Sequence, residues 1–332
     1  MATETKTKSK KAIKAVVIIA AVIAAIAILM TVSGKHKSDP SLVKQYDTQN
    51  PYILAETDIS AHRSGGGIAP EESLMAFKNC AENDSFSIDV FEFDLHITKD
   101  NVLVLLHDDT LDRTSNVEEV FGETDVRPET KTYEELRQLN IGAKFVDPDG
   151  KMPFADMSEP TDDLRILRVE DVLDYLNSKG DYKYIIEIKN SDDLGKKGVD
   201  ILYQILVEKN LLDRVIFGTF HAEVSEYVDE NYPDMARSTG ITEVLKFYFA
   251  ALTNSKSYEP PCNVLQIPYG GIFNTFGLNT GTAQVINYAH EHDMAVQYWT
   301  INDEEDMEYL ISIGADCIMS DYPDVLYDVK NK

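Results

Sequence analysis

Phe91-Glu92-Phe93-Asp94-Leu95-His96-Ile97-Thr98-Lys99-Asp100-Asn101-Val102-Leu103-Val104-Leu105-Leu106-His107 decides how this chain folds. Residues 91–95 alternate apolar and acidic side chains, the period of a strand with two different faces. Residues 102–106 are a second apolar run. Too few residues separate the runs for a helix, and Thr98-Lys99-Asp100-Asn101 has turn chemistry. The stretch is therefore expected to be an antiparallel hairpin centred near Asp100. That geometry puts His107 roughly across from Asp94.

Outside this hairpin, strands and helices take turns. Strand-like runs occupy residues 58–62, 184–188, 215–219, 263–267, 295–300 and 317–320, with a weaker one at 235–240. Helical periodicity occupies 72–82, 169–177, 198–209, 222–231, 281–292 and 304–313. Repeated strand–helix units imply parallel strands. If the returning arm of the hairpin is not a barrel stave, eight staves remain, and the expected fold is an α/β (β/α)8 TIM barrel. The rival, a doubly wound sheet, has no G-x-G-x-x-G turn opening a helix to support it. Residues 109–168 are long, irregular and acidic, with a helical stretch at 133–139. A plain connection of that length is unusual, so they are expected to form a small inserted subdomain at the barrel mouth.

The N-terminus has a different character. Residues 15–32 are uncharged and apolar except for Thr31. As a helix they would span about 27 Å, enough to cross a bilayer core. Five lysines precede the run (Lys6, Lys8, Lys10, Lys11, Lys14) and two follow it (Lys35, Lys37). That bias predicts a transmembrane helix with residues 1–14 as a cytoplasmic tail and the body outside the cytoplasm. A cleaved signal peptide is the alternative, although no A-x-A type site is obvious. Residues 33–51 read as a linker to a barrel at 52–330.

The formal net charge is -26, and after the seven lysines and Glu4 of residues 1–38 the rest holds 24 basic and 56 acidic residues. Such a body repels nucleic acid and anionic surfaces, so no nucleic-acid partner is expected. Three cysteines (Cys80, Cys262, Cys317) exclude a full disulfide framework, and Cys80 and Cys317 are expected to be buried thiols.

The chemistry gathers at strand ends. Glu92 and Asp94 share one face, and Glu187 ends another strand. Buried carboxylates need a positive partner, and oxygen donors suit a hard cation such as Ca2+ or Mg2+. Lys189 shares the face of Glu187, while Arg63, with its planar guanidinium, follows His62. Each suits a phosphate oxygen, and each equally suits a salt bridge. Phosphodiester cleavage needs an acid and a base, which His62 and His107 can supply. Ser64-Gly65-Gly66-Gly67 offers backbone N–H groups for a phosphate or is only a flexible loop. Trp299 ends a strand and either lines the mouth or packs in the core. Tyr269, Phe273 and Phe276 are candidates to contact an alcohol or acyl moiety. His290 and His292 are expected to face solvent.

Together these residues resemble the glycerophosphodiester phosphodiesterase family. The resemblance rests on Ala61-His62-Arg63, Ala69-Pro70-Glu71-Glu72-Ser73-Leu74, Phe91-Glu92-Phe93-Asp94, His107-Asp108-Asp109-Thr110-Leu111-Asp112-Arg113-Thr114, Glu187-Ile188-Lys189, Trp299-Thr300-Ile301-Asn302 and Ser320-Asp321-Tyr322-Pro323. It covers about residues 56–328. It implies a TIM barrel with an insertion after His107. It implies a divalent metal at Glu92, Asp94 and Glu187, acid/base roles for His62 and His107, and Arg63 and Lys189 on the phosphate; Trp299, from its place at a strand end, is the further candidate for the substrate. The implied reaction releases an alcohol from a glycerophosphodiester and leaves sn-glycerol 3-phosphate. The chain departs from the family pattern at Ser64, where Gly is usual, at Glu72, where Asn is usual, and at Thr219, where Ser is usual. A lysophospholipase D, a teichoic-acid-type hydrolase and a non-catalytic binding barrel are the competing readings.

Overall fold

In the computed structural model, residues 36–157, 159–270 and 278–332 are described. The expected tail and anchor at residues 1–32 lie outside that range, as do Phe273 and Phe276. Among the described residues no helix is long and apolar enough to cross a membrane.

The strands are β1 (Asp58–Ala61), β2 (Val90–Ile97), β3 (Leu103–Leu105), β4 (Lys183–Ile188), β5 (Val215–Gly218), β6 (Val264–Pro268), β7 (Ala295–Trp299) and β8 (Cys317–Ser320). Their order is β5-β4-β2-β1-β8-β7-β6, all parallel. The gap between β5 and β6 is filled by residues 236–239. Their backbone bridges Phe217 to Arg237 and Ser238 to Val264 without forming a regular strand. The weak run at 235–240 is thus the stave that nearly closes a TIM-type barrel.

The hairpin forms as expected. Leu95 pairs with Leu105 and Ile97 with Leu103, antiparallel, and β3 stays off the barrel path. Leu106 N–H donates to the Asp94 carbonyl (3.1 Å), which returns His107 to the level of the carboxylates. Every residue of β2 is buried. Its odd positions, Phe91, Phe93, Leu95 and Ile97, join the main apolar core beneath the helices. Its even positions face the barrel interior, where Val90 packs with Ile185, Ile216, Val264, Cys317 and Met319. Glu92 and Asp94 lie above that apolar layer.

The helices are α1 (Leu74–Ala81), α2 (Val117–Phe121), α3 (Tyr133–Leu136), α4 (Val169–Asn177), α5 (Asp192–Lys209), α6 (Ala222–Asn231), α7 (Ile241–Thr253), α8 (Ala283–Glu291), α9 (Glu304–Ser312) and α10 (Pro323–Lys330). Ser73 caps α1 by accepting from Ala76 N–H. α5 starts six residues before the periodicity indicated. Gly195 is needed there, because a Cβ would run into the Asn190 carbonyl. Residues after β3 build a small core of their own from Leu111, Val117, Val126, Leu136, Leu139, Ile141 and Ile166, joined by Val104 and Leu106.

Residues 36–54 lie along the barrel. Asn50 Nδ2 donates to the carbonyls of Asn263 and Asp293, both at 2.8 Å. Leu54 N–H donates to Asp316 Oδ1 (2.8 Å). His290 is a correction to the sequence expectation. Its side chain is buried, and Nε2 bonds the buried Asp316 carboxylate at 2.8 Å. All three cysteines are free, with Cys80 and Cys317 buried.

Candidate active site

The parallel strands all end at one rim, the position where such barrels carry their chemistry. A cavity of about 170 Å³ opens there, lined by His62, Arg63, Glu92, Asp94, His107 and Glu187 among others. Four strands or their extensions supply these groups, so the barrel brings together residues 125 positions apart.

β1 ends at Ala61, and the chain then turns sharply through His62, Arg63 and Ser64. Arg63 (φ 47°) and Ser64 (φ 64°) are left-handed. This turn aims Arg63 N–H at Glu92 Oε2 (2.7 Å) and brings His62 Nε2 within 4.0 Å of the same oxygen. His62 Nδ1–H donates to Asp321 Oδ1 (2.6 Å), which fixes the ring and turns Nε2 to the cavity, 3.3 Å from Thr300 Oγ1. On the far side, His107 Nδ1–H donates to Asp108 Oδ1 at 2.6 Å. Each imidazole is thus oriented by a carboxylate behind it, the arrangement that fixes a tautomer for proton transfer.

The two rings differ in charge preference. Burial alone would lower both pKa values. At His62 the carboxylates of Glu92 and Asp321 outweigh burial and hold the pKa above its ordinary value. At His107 burial prevails over Asp94, aided by the Lys189 and Arg63 cations, and the pKa lies below its ordinary value.

Glu92, Asp94 and Glu187 face one another across β2 and β4, where Asp94 pairs with Glu187 in register. Burial, followed by the charge of Asp94, pushes Glu92 up to about 7 and Glu187 up to about 8. Asp94 stays below its ordinary value: burial opposes ionisation there, but Lys189, His107 and Arg63 override it. Lys189 Nζ lies 2.8 Å from Glu187 Oε1 and 3.5 Å from Asp94 Oδ1. Asp94 Oδ2 is buried without a hydrogen-bond partner. Among the described residues no three His, Cys, Asp or Glu side chains stand close enough together to hold a metal ion. The lysine ammonium takes part of that space.

Four functional groups escaped the sequence reading as individual residues. Asp321 and Asp108 orient the two histidines. Arg113 forms a two-pronged pair with Glu71 (2.6 and 2.8 Å) and another with Asp108 (2.6 and 3.0 Å). Glu71 also accepts from Arg63 Nη1 (3.3 Å), so one chain of charges runs from His107 to Arg63. Glu72 is the fourth. It adopts φ 58°, is almost fully buried, and accepts Asp94 N–H on Oε1 (3.1 Å). Its Oε2 has no partner, and burial with Asp94 and Glu92 raises its pKa well above the carboxylate range. The only advance signal for Glu72 was its departure from the family's Asn.

Other expectations change. The N–H groups of Gly65 and Gly66 donate to the His62 carbonyl and that of Gly67 to the Asp321 carbonyl. They are spent inside the fold, so this loop is neither a phosphate cradle nor slack. A Cβ on Gly67 would sit 2.6 Å from the Tyr322 ring and 2.9 Å from the Asp321 carbonyl. Gly67→Ala is expected to cost roughly 1–3 kcal/mol by overpacking. It should also lower turnover by shifting Asp321, and denaturant melts with steady-state rates would show both. Trp299 lines the cavity, edge-on to Phe220 at 5.8 Å. Tyr269 packs against Tyr298 and Tyr309.

The sequence matches the Glycerophosphoryl diester phosphodiesterase family over residues 62–325. A glycerophosphodiester phosphodiesterase of Caldanaerobacter subterraneus is 27% identical over 281 residues, covering 83% of this chain and 99% of that protein. A human lysophospholipase D is 25% identical over 292 residues, covering 81% and 83%. Among solved structures, an Oleispira antarctica phosphodiesterase in complex with the product sn-glycerol-3-phosphate superposes with a TM-score of 0.64 at 20% identity. It covers 83% of this chain and 98% of that one, a likeness of fold.

Proposed function

Because this chain belongs to the glycerophosphoryl diester phosphodiesterase family, we propose that it hydrolyses glycerophosphodiesters to sn-glycerol 3-phosphate and an alcohol. The observation that carries this reading is the single cavity holding two carboxylate-oriented imidazoles, three acidic groups and Arg63.

The residues divide the work. Arg63 and Lys189 supply positive charge for the phosphoryl oxygens, and the Glu71–Arg113 pairs hold Arg63 in place. His62 and His107 hold and move the protons at their Nε2 atoms. One is biased toward imidazolium and the other toward imidazole, which is the difference an acid and a base require. Trp299 and Phe220 form an apolar part of the cavity wall.

The acidic groups fit a divalent cation in kind. They are hard oxygen donors on adjacent strands, buried, with Asp94 Oδ2 unpartnered. Glu92, Asp94 and Glu187 would hold Ca2+ or Mg2+, beside the Lys189 ammonium that now pairs with two of them. Bound there, the cation would supply Lewis-acid neutralisation of phosphoryl charge. The lysine bias around residues 15–32 supports a body outside the cytoplasm on a membrane anchor.

One observation bears on the size of the alcohol, and with it on a lysolipid as a second reading. A larger cavity of about 430 Å³ shares His62, Arg63 and Thr300 with the first and adds Ile141, Phe145, Val146 and Tyr322. Glu71, Arg113, Thr114 and Lys144 line it as well, so a substituent there would meet a charged wall beside a small apolar one. The purified chain is expected to release glycerol 3-phosphate from glycerophosphocholine or glycerophosphoethanolamine in the presence of Ca2+ or Mg2+. Running a lysophospholipid and polyglycerol phosphate alongside, with products identified by mass, ranks the substrates. Absence of turnover on every diester would leave the binding-barrel reading.

A further inference from the structure

We propose that the outer face of α7 lies on the surface of a lipid bilayer, beside the point where the apolar segment 15–32 enters it. The proposal rests on the anchor reading of that segment.

α7 exposes Ile241 (56%), Leu245 (43%), Phe249 (59%) and Leu252 (49%). At about 100° per residue these four fall within roughly 80° of arc. They form one stripe, beside the inward face made by Phe247, Tyr248 and Ala251. Solvent-facing βα helices of a barrel normally carry charge there, and this chain has 57 acidic residues to spend. α7 has only Glu243 and Lys246 as charged side chains, and Glu243 is occupied by Arg237 (2.9 Å). A long apolar stripe on an otherwise acidic surface marks a contact surface.

Two placements identify the partner. First, the stripe begins at the barrel mouth. Ile241 and Phe220 line one cavity, and Phe220, itself 44% exposed, packs against Trp299 of the catalytic cavity. Second, the described chain begins beside the same helix. His36 and Ser38 line a cavity of about 960 Å³ in the groove between α7 and α8, together with Tyr248, Leu252, Ala283 and Asn287. The His36 carbonyl accepts from Asn279 Nδ2 (2.6 Å), and Ser38 Oγ accepts from Ala283 N–H (3.1 Å) at the start of α8. Helices of a parallel barrel start at the strand C-terminal rim, so the chain departs at the mouth end. Only three residues, 33–35, separate His36 from the apolar run. A bilayer holding residues 15–32 would therefore lie within reach of both the stripe and the mouth. Lys37 and Lys44 on the adjoining segment, and Lys246 on the helix, add positive charge where lipid headgroups would meet the protein.

The test uses the full chain reconstituted with phosphatidylcholine vesicles. An environment-sensitive fluorophore is placed on Phe249→Cys, with Val207→Cys on the exposed flank of α5 as reference. The native Cys80 and Cys317 are buried, and burial raises the Cys262 thiol to about 12, so labelling favours the new site. In vesicle-floated protein, position 249 is expected to show blue-shifted emission and protection from aqueous quenchers, and position 207 neither. Ile241→Asp with Phe249→Asp should lower turnover of vesicle-borne lysolipid severalfold and leave a soluble diester unchanged. Vesicle-floated protein with position 249 as wet as 207 overturns the docking face and leaves the anchor intact. Failure to float overturns anchor and face together. A blue shift at 249 before vesicles are added means a second copy or residues 15–32 cover the stripe, and overturns the bilayer as its partner.

Discussion

His62→Ala is expected to lower kcat/KM for a glycerophosphodiester by roughly 10²–10⁴-fold, the range for a positioned acid or base. The ring is gripped from behind by Asp321, and its Nε2 is turned into the cavity. Beside that nitrogen stand the Thr300 hydroxyl at 3.3 Å and Glu92 Oε2 at 4.0 Å, the latter already accepting from Arg63 N–H. His107→Ala should produce a loss of similar size. If the two act in one proton circuit, the double variant should be little worse than either single one. Asp321→Ala separates orientation from chemistry, since it keeps the histidine and removes the acceptor that fixes it. Retention of more than a tenth of the activity in both single histidine variants would remove the imidazoles from the mechanism. Circular dichroism melts guard against trivial unfolding, and little is expected, because both rings border the cavity rather than the apolar core.

Removal of divalent cation should have a comparable effect, with a second signature in stability. Glu92 and Glu187 are raised to about 7 and about 8 by burial and by Asp94, so these carboxyl groups resist sharing their space without added positive charge. EDTA-treated protein is expected to lose turnover and to melt earlier. Restoring Ca2+ or Mg2+ at 100 times its Kd should return about 2.7 kcal/mol by mass action. Glu92→Gln distinguishes a ligand from a bystander. It removes one oxygen donor and one buried charge, so the metal-free protein should hold or gain stability while the cation-dependent increment shrinks. Calorimetry with and without cation reads both quantities. Full activity and an unchanged melt after exhaustive chelation would exclude the metal.

Much of the barrel was legible because period and polarity agree along each strand. β2 is the clearest case, with phenylalanines facing helices and acids facing inward. The hairpin could be centred on Asp100 because turn chemistry and strand length left one register. α7 was not legible, since Ile241–Thr253 is apolar on nearly every side and Gly240 offers no side-chain cap. Its periodicity was hidden by the stripe that faces outward. α10 was overlooked because Ser320-Asp321-Tyr322-Pro323 reads as a motif, although Pro323 is also a good first helical residue. The same limit applied at the site. Strand ends announced His62, Glu92, Asp94 and Glu187. The Asp321 contact joins residues 259 positions apart, and only the closed barrel brings them together.

β3 has a consequence for what holds the two imidazoles apart. Leu103 and Leu105 belong to the main core, while Val104 and Leu106 belong to the small one. His107 follows directly, so it is carried on a strand shared by two separately packed bodies, whereas His62 is fixed to the barrel alone. The distance between the two imidazoles is therefore set by the registry of one core against the other. A side chain such as Leu136, remote from the cavity, thus belongs to the packing that seats His107.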